Sequence, residues 1–413
     1  MRKYIFITTD IHPLGGMQIY ISGKSKYLEA IGWNVYVIYP SFVKGKCVFP
    51  QLNKYISGRN ISMSFYPGEL SSGKIKKTLR WVRNYIDYSR GDEVLIESNH
   101  DKSAIWGEII AKDLNAKHAC LCCNEIFRGP YKHYEEYLEF FKFKYDRNEL
   151  AGISRKSLPL LFENSEYQIQ ESNDYVFSAA ADEAVQDVEF AQFQEFNNKR
   201  VKIAYIGRVN KEPFREITKS VKDFVSNYPK IEFSYAVVGD ANNEEREWVE
   251  KEFLNFNNCN CIFTGTLAPV PQKLFTCIDV VIAGSGCALM ATKQGVLTIL
   301  VDALDSKSNG VLGIDTMDFL FRVPNGYKAT IQQTLKEILI DHKYNSTDIQ
   351  PLAEKKREDI YKQHFIYFNS NKKYFSSKKL IASYGNKLEN KIRYFYNGII
   401  RNYIYLFKRE DTD

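Results

Sequence analysis

At 413 residues the chain is too long for one ordinary core, which predicts two domains and an appendage. Its 44% hydrophobic and 26% charged residues are those of a soluble globular protein, and a net charge of +6 argues against a nucleic-acid binder. No run approaches the roughly 18 to 20 apolar residues that a membrane helix needs.

The first apolar stretch, Tyr4 to Thr8, is too short for a signal-peptide core and has no cleavage site after it, so the expected location is the cytoplasm. Of eight cysteines, Cys120, Cys122, Cys123, Cys259, Cys261, Cys277 and Cys287 lie in or beside apolar segments, and Cys47 stands alone. No second cysteine or histidine pair has zinc spacing, which favours buried reduced thiols over a metal site.

Residues 3 to 8 read as a first strand, followed by the loop Asp10 to Gly16 with its pair Gly15-Gly16. Met17 to Ile31 is a predicted helix closed by Gly32, and Asn34 to Tyr39 a second strand. This βαβ order with glycines before the helix suits an anion, because glycine allows close approach and the helix start offers free amides. Residues 47 to 66 predict a hairpin or irregular strands. Lys74 to Ser89 predicts a helix with Leu79, Val82 and Ile86 inward and Lys74, Lys76, Lys77, Arg80 and Arg83 outward. Those cations are either a solvated face or a surface for an anionic acceptor or membrane.

Glu93 to Glu97 is a predicted buried strand with Ser98-Asn99-His100-Asp101 after it, where open α/β sheets bind ligands. Helix 104–111 and strand 117–123 follow, with Asn124-Glu125 at the strand's end. Next come an aromatic helix, 134–145, and a short strand, 150–153, ending at Ser154. His12, His100 and Glu125 therefore lie at the expected ligand edge. Tyr175 to Ser178 is read as the last strand of this half, and Asp182 to Arg200 as a linker.

A second alternating array opens at Val201. Its strand 201–206 ends in Gly207, with Arg208 and Lys211 beside a helix that starts near Pro213. Two cations at a helix start are either a site for a diphosphate or solvated charges on an ordinary strand–loop–helix turn. Strand 232–238 ends in Gly239-Asp240, a helix spans 244–255, and strand 261–263 ends in Thr264-Gly265. Helix 270–277 precedes strand 280–283, and Gly284-Ser285-Gly286-Cys287 leads into helix 288–294. Strand 298–301 and helix 330–341 complete the array. From residue 366 on there are ten Lys or Arg against four Asp or Glu. Residues 388–407 carry aromatics at helical spacing, which suits either an anionic bilayer surface or packing against the second domain or a partner.

In this order the pieces resemble the two-domain GT-B glycosyltransferases, in particular the bacterial retaining group that uses nucleotide-sugar donors. The matching residues are Gly15-Gly16-Met17-Gln18-Ile19-Tyr20, Gly32-Trp33-Asn34-Val35, Ala151-Gly152-Ile153-Ser154, Ile206-Gly207-Arg208-Val209-Asn210-Lys211, Val238-Gly239-Asp240 and Phe263-Thr264-Gly265-Thr266-Leu267. The likeness runs over about residues 1 to 340. It implies an α/β architecture of two doubly wound Rossmann-like domains facing a cleft, with a basic aromatic helical tail. The expected division is an acceptor domain at 1–180, a linker at 181–200, a nucleotide-sugar domain at 201–345 and a tail at 346–413.

By the same resemblance Arg208 and Lys211 neutralise the donor diphosphate. Gly15, Gly16, Gly207, Gly239, Gly284, Ser285, Gly286 and Cys287 form the donor site. Glu125 and His100, with Asp101 beside it, are candidates for a catalytic base. No metal or other cofactor is expected beyond the donor substrate. The sequence departs from the family in one respect: its usual pair of glutamates falls at Ile282 and Met290.

The expected function is transfer of a sugar from a nucleotide diphosphate sugar to a glycan or lipid-linked acceptor in bacterial surface polysaccharide assembly, with peripheral contact at the inner membrane and no nucleic-acid partner. The alternatives are a catalytically degenerate GT-B protein that binds glycan or supports another transferase, and a nucleotide-sugar epimerase.

Overall fold

Strands buried on both faces read as continuous apolar runs, and the opening strand is one: β1 (Arg2–Ile7) is buried from Lys3 onward. The computed structural model describes residues 1–9, 11, 15–40, 50–55, 58–99, 101–122, 135–163, 165–177, 185–196, 198, 200–209, 212–303, 305–317, 319, 328–352 and 357–385. Two compact units divide the chain, one of Met1–Ala180 with Lys355–Asp413 and one of Ala181–Glu354.

In the first unit α1 (Gly16–Ala30), β2 (Asn34–Tyr39), β3 (Gly58–Arg59), α2 (Ser72–Tyr85), β4 (Glu93–Ser98), α3 (Asp101–Leu114), β5 (Lys117–Cys122), α4 (Glu135–Tyr145), β6 (Leu150–Gly152) and α5 (Ser157–Phe162) follow β1. The six strands pair in parallel in the order β3-β2-β1-β4-β5-β6. The chain winds outward from β1 to one side, then returns to build the other from β4. Between β2 and α2 the described residues form single 3-10 turns and the two-residue β3 rather than a hairpin. Residues 175–177 form no strand and contribute one bridge, Gly152 to Val176.

The second unit contains β7 (Val185–Gln186), β8 (Val201–Ile206), α6 (Glu212–Asn227), β9 (Phe233–Val238), α7 (Asn243–Phe253), β10 (Cys259–Phe263), β11 (Val270–Pro271), α8 (Gln272–Phe275), β12 (Val280–Ala283), α9 (Ser285–Lys293), β13 (Leu297–Val301), β14 (Ser308–Val311) and α10 (Ile331–Leu339). Its sheet runs β10-β9-β8-β12-β13-β14, parallel except for β14. Successive strand residues feed opposite cores. Ile203 and Tyr205 lie with Phe214, Val221 and Phe224 of α6, while Ala204 and Ile206 lie with Ala288 and Ala291 of α9. The segment expected as a linker is part of this unit. Phe190 and Phe196 are buried in the α9-side core, and β7 pairs with β11.

The C-terminal segment returns to the first unit. There α11 (Arg357–Gln363), a 3-10 turn at His364–Phe368 and α12 (Ser377–Gly385) pack on it. Gly23 of α1 makes room for this: a Cβ there would sit 2.4 Å from the Tyr361 hydroxyl oxygen. Phe365 and Phe368 meet Tyr4, and Phe365 also meets Trp33. The amphipathic stretch expected at 388–407 lies outside the described residues.

Two buried charge networks sit in this unit. Lys24 pairs with Glu97, both fully buried; Tyr4 and Tyr20 donate to the same carboxylate at 2.6 and 2.9 Å, and His364 Nδ1 lies 3.1 Å from the Tyr20 hydroxyl. In the other, Lys144 bridges Glu108 at 2.7 Å and Glu149 at 2.8 Å. The Glu108 carboxylate is 2.9 Å from His118 Nδ1, which leaves Nε2 to accept from the Ser98 hydroxyl at 2.8 Å. The tail closes this network, with the Phe375 amide donating to Glu108 at 2.7 Å.

Burial and the Lys144 charge push His118 down to about 4, against the opposing pull of Glu108 and Glu149. The unfolded chain therefore takes up a proton near pH 6.5 that the folded chain refuses until about 4. Stability is full above pH 6.5 and falls as pH drops toward 4, by on the order of 3 kcal/mol. Glu108 is held at about 2, against its burial, chiefly by Lys144 and then His118, so its own contribution is lost only between about 4.5 and 2. Chemical denaturation at stepped pH reads both windows, and His118→Gln removes the upper one.

Candidate active site

In open α/β sheets the crevice lies at the carboxyl ends of the strands, where the winding direction reverses. In the second unit that point falls between β8 and β12, which pair directly, Ile206 opposite Ala283. Gly207-Arg208 and Gly284-Ser285 consequently leave the sheet side by side. Gly207 donates its amide to Val238 at 3.1 Å, and a Cβ on Gly239 would lie 2.1 Å from the Gly207 carbonyl oxygen. That contact is backbone against Cβ, so no side chain can swing away. Gly239→Ala is expected to cost about 1 to 3 kcal/mol, read as a lowered melting temperature, and to displace the turn that carries Arg208.

Arg208 is exposed, and its backbone carbonyl accepts from the Tyr205 hydroxyl at 2.9 Å. The Tyr205 phenol is pushed up, first by burial and then by Cys287, so it stays a neutral donor that fixes this turn. Opposite it, α9 starts from an extended Gly284 with no side-chain cap, and Ser285 stands at φ +48°. Left-handed backbone costs a non-glycine residue about 1 to 2 kcal/mol, a strain that the sequence did not signal. By contrast α2, α7 and α10 are capped by Ser71, Asn242 and Thr330. No side chain among the described residues caps the start of α9, which leaves the first amides, from Ser285 and Gly286, open at the switch point.

The first unit has its own switch point between β1 and β4. Here α1 follows an extended Gly15 without a side-chain cap, and the Asn99 amide donates to Ile7 at 3.1 Å. Asn99 is fully buried; its Nδ2 donates to Glu97 at 2.9 Å and its Oδ1 has no partner among the described residues. Thr8, buried at the end of β1, is a further edge residue that the sequence reading passed over; its hydroxyl contacts Met17 Sδ at 2.9 Å.

Among the sequence-derived candidates, Gly207, Arg208, Gly284, Ser285, Gly286 and Cys287 share one edge, with Gly239 against Gly207. Gly15 and Gly16 lie at the edge of the other unit. Lys211, Glu125, His100 and His12 lie outside the described residues. Ile282 is buried within β12, and Met290 lies on α9. A second feature missed from sequence is the ion pair of Lys328 with Asp302, 2.6 Å apart at the end of β13. Among the described residues no group of histidine, cysteine, aspartate or glutamate is arranged to hold a metal. The Cys120 thiol is pushed up to about 12 by burial.

Solved structures with this arrangement exist. Anabaena HepE in complex with UDP-glucose matches over 92% of this chain and 97% of its own, at TM-score 0.53 and 13% identity. A UDP-N-acetylglucosamine 2-epimerase matches over 91% and 98%, at TM-score 0.50 and 10% identity. The chain has the GT-B fold. A glycosyltransferase from Rickettsia africae matches the same GT-B fold over 92% of this chain and 95% of its own, at TM-score 0.50 and 14% identity. No family model matches the sequence, and a search of curated proteins gives no match. At such identities the likeness is one of GT-B architecture, and it does not single out the retaining group.

Proposed function

We propose that this protein is a glycosyltransferase that moves a sugar from a nucleotide diphosphate sugar to a glycan or lipid-linked acceptor, in the assembly of bacterial surface polysaccharide. One observation carries the reading: an exposed arginine and an uncapped helix start emerge from adjacent strands where the second sheet reverses its winding. In the reaction the anomeric C–O bond breaks and its electron pair goes to the diphosphate. An acceptor hydroxyl forms the new bond and gives its proton to a base, for which Glu125 and His100 are candidates. Arg208, Lys211 and the α9 amides oppose the charge that gathers on the leaving group. HepE and the epimerase were both solved or named with UDP-sugars, which supports a nucleotide-sugar donor.

The absence of carboxylates at 282 and 290 favours a second reading, a binding subunit without turnover. Melting in the presence of UDP, GDP and CMP tests both, since a ligand held only by the folded state raises its stability. The expected result is a raised melting temperature with one nucleotide, and release of that nucleotide from its sugar when an acceptor is added. A nucleotide response without turnover moves the protein to the binding class, and isomerised sugar without transfer moves it to the epimerases. No response to any nucleotide removes the donor site.

A further inference from the structure

Helix α2 carries five cations, Lys74, Lys76, Lys77, Arg80 and Arg83, and no acid. Several exposed lysines on other elements have acids beside them, such as Lys54 with Glu29, Lys219 with Glu216 and Lys336 with Asp341. On α2 Arg83 has such an acid, Asp113 of α3 at 2.7 Å. Lys76, Lys77 and Arg80 are exposed and make no ion pair with the described residues. At 3.6 residues per turn these three fall on an arc roughly 100° wide, opposite the buried Ile75, Val82 and Ile86. Trp81 and Tyr85, both half-buried, lie along one side of this stripe with rings stacked at 5.2 Å.

We propose that the outer face of α2 is a docking surface for an anionic lipid bilayer. A row of uncompensated charge on a convex helix has nothing converging on one point, which disfavours a discrete phosphate site and suits an extended surface of the opposite sign. The two aromatic rings already cover each other's faces, so they offer no platform for stacked bases. Partly exposed Trp and Tyr beside a basic stripe are the side chains that settle at headgroup level. The apolar side of α2 is committed to the core, so docking is adsorption rather than insertion. No helix among the described residues is long and apolar enough to cross a membrane. The inference stands apart from the reaction assigned above, although it would bring the enzyme to a lipid-linked acceptor.

The test is flotation of the full chain with vesicles of equal parts phosphatidylcholine and phosphatidylglycerol, against phosphatidylcholine alone. Binding is expected only to the anionic vesicles and weakens as salt rises. Lys76→Gln, Lys77→Gln and Arg80→Gln together should lower the partition coefficient about 100-fold. Lys219→Gln with Lys336→Gln, which removes cations that already have acidic partners, should leave it unchanged. An unaltered melting temperature and nucleotide response show that the triple variant is folded. If it is not, Lys76→Gln with Arg80→Gln takes its place. Equal binding of variant and wild type overturns the proposal, as does equal binding to neutral vesicles. So does tighter binding to a single-stranded oligonucleotide than to the anionic vesicles. Loss of the nucleotide response in the wild type would instead count against the enzyme reading and leave the vesicle result standing.

Discussion

Arg208→Ala is expected to lower turnover of the nucleotide sugar by about 100- to 1,000-fold, the usual cost of removing one fixed donor from a developing negative charge. The guanidinium faces solvent at the end of β8, so its loss leaves the core intact and the melting temperature unchanged. The charge it opposes is greater in the transition state than in the bound donor. The loss should therefore fall mainly on kcat, with a smaller rise in KM. Arg208→Lys keeps the charge but not the planar fork and should recover only part of the rate. Lys211→Ala extends the test to the second cation. Steady-state kinetics on the nucleotide identified by melting decide the matter. Turnover that survives both alanine changes removes these residues from the site.

The largest stability effect is expected at the Lys24–Glu97 pair. Lys24→Met leaves a buried carboxylate with its cation gone, at a cost of about 3 to 5 kcal/mol. Urea denaturation would read this as a large fall in midpoint. Glu97→Gln strands the ammonium and should cost a similar amount. The double variant should lose clearly less than the two singles added together, because no lone charge remains. Burial opposes ionisation of Glu97, but Lys24, Tyr4 and His364 together hold its carboxyl below the usual range. Its contribution is therefore present above the unfolded carboxylate pKa and lost as pH falls through the folded value. Singles that melt like the wild type would show that the pair is not closed in solution.

Much of this architecture could be read from local pattern. The strands flanking each switch point are apolar runs of four to six residues that end in glycine or a small polar residue, and the sheet core needs little more. The arginine at 208 was legible for the same reason, since it follows the strand without interruption. What stayed hidden depends on contacts distant in sequence. The two-residue strands β7 and β11 are too short to show a period, and in residues 190–196 the buried Phe190 and Phe196 and the partly buried Phe193 are separated by polar or small residues. β14 contains a glycine at φ +89° and Asn309, poor strand formers that its pairing with β13 overrides. Glu97 inside an apolar strand was a visible anomaly. Its partners, however, come from β1 and α1, 73 to 93 positions away, and His364 reaches them from the far end of the chain.

The return of residues 357–385 to the first unit also orders events during synthesis. The first six strands leave the ribosome long before α11 and α12 do, and the whole of the second sheet is made in between. Until the last stretch arrives, Lys24 and Glu97 lack the histidine beside them, and Glu108 lacks the Phe375 amide. Domains that are made as continuous stretches fold as they emerge. By that rule the second unit, although later in the chain, is the first to become complete.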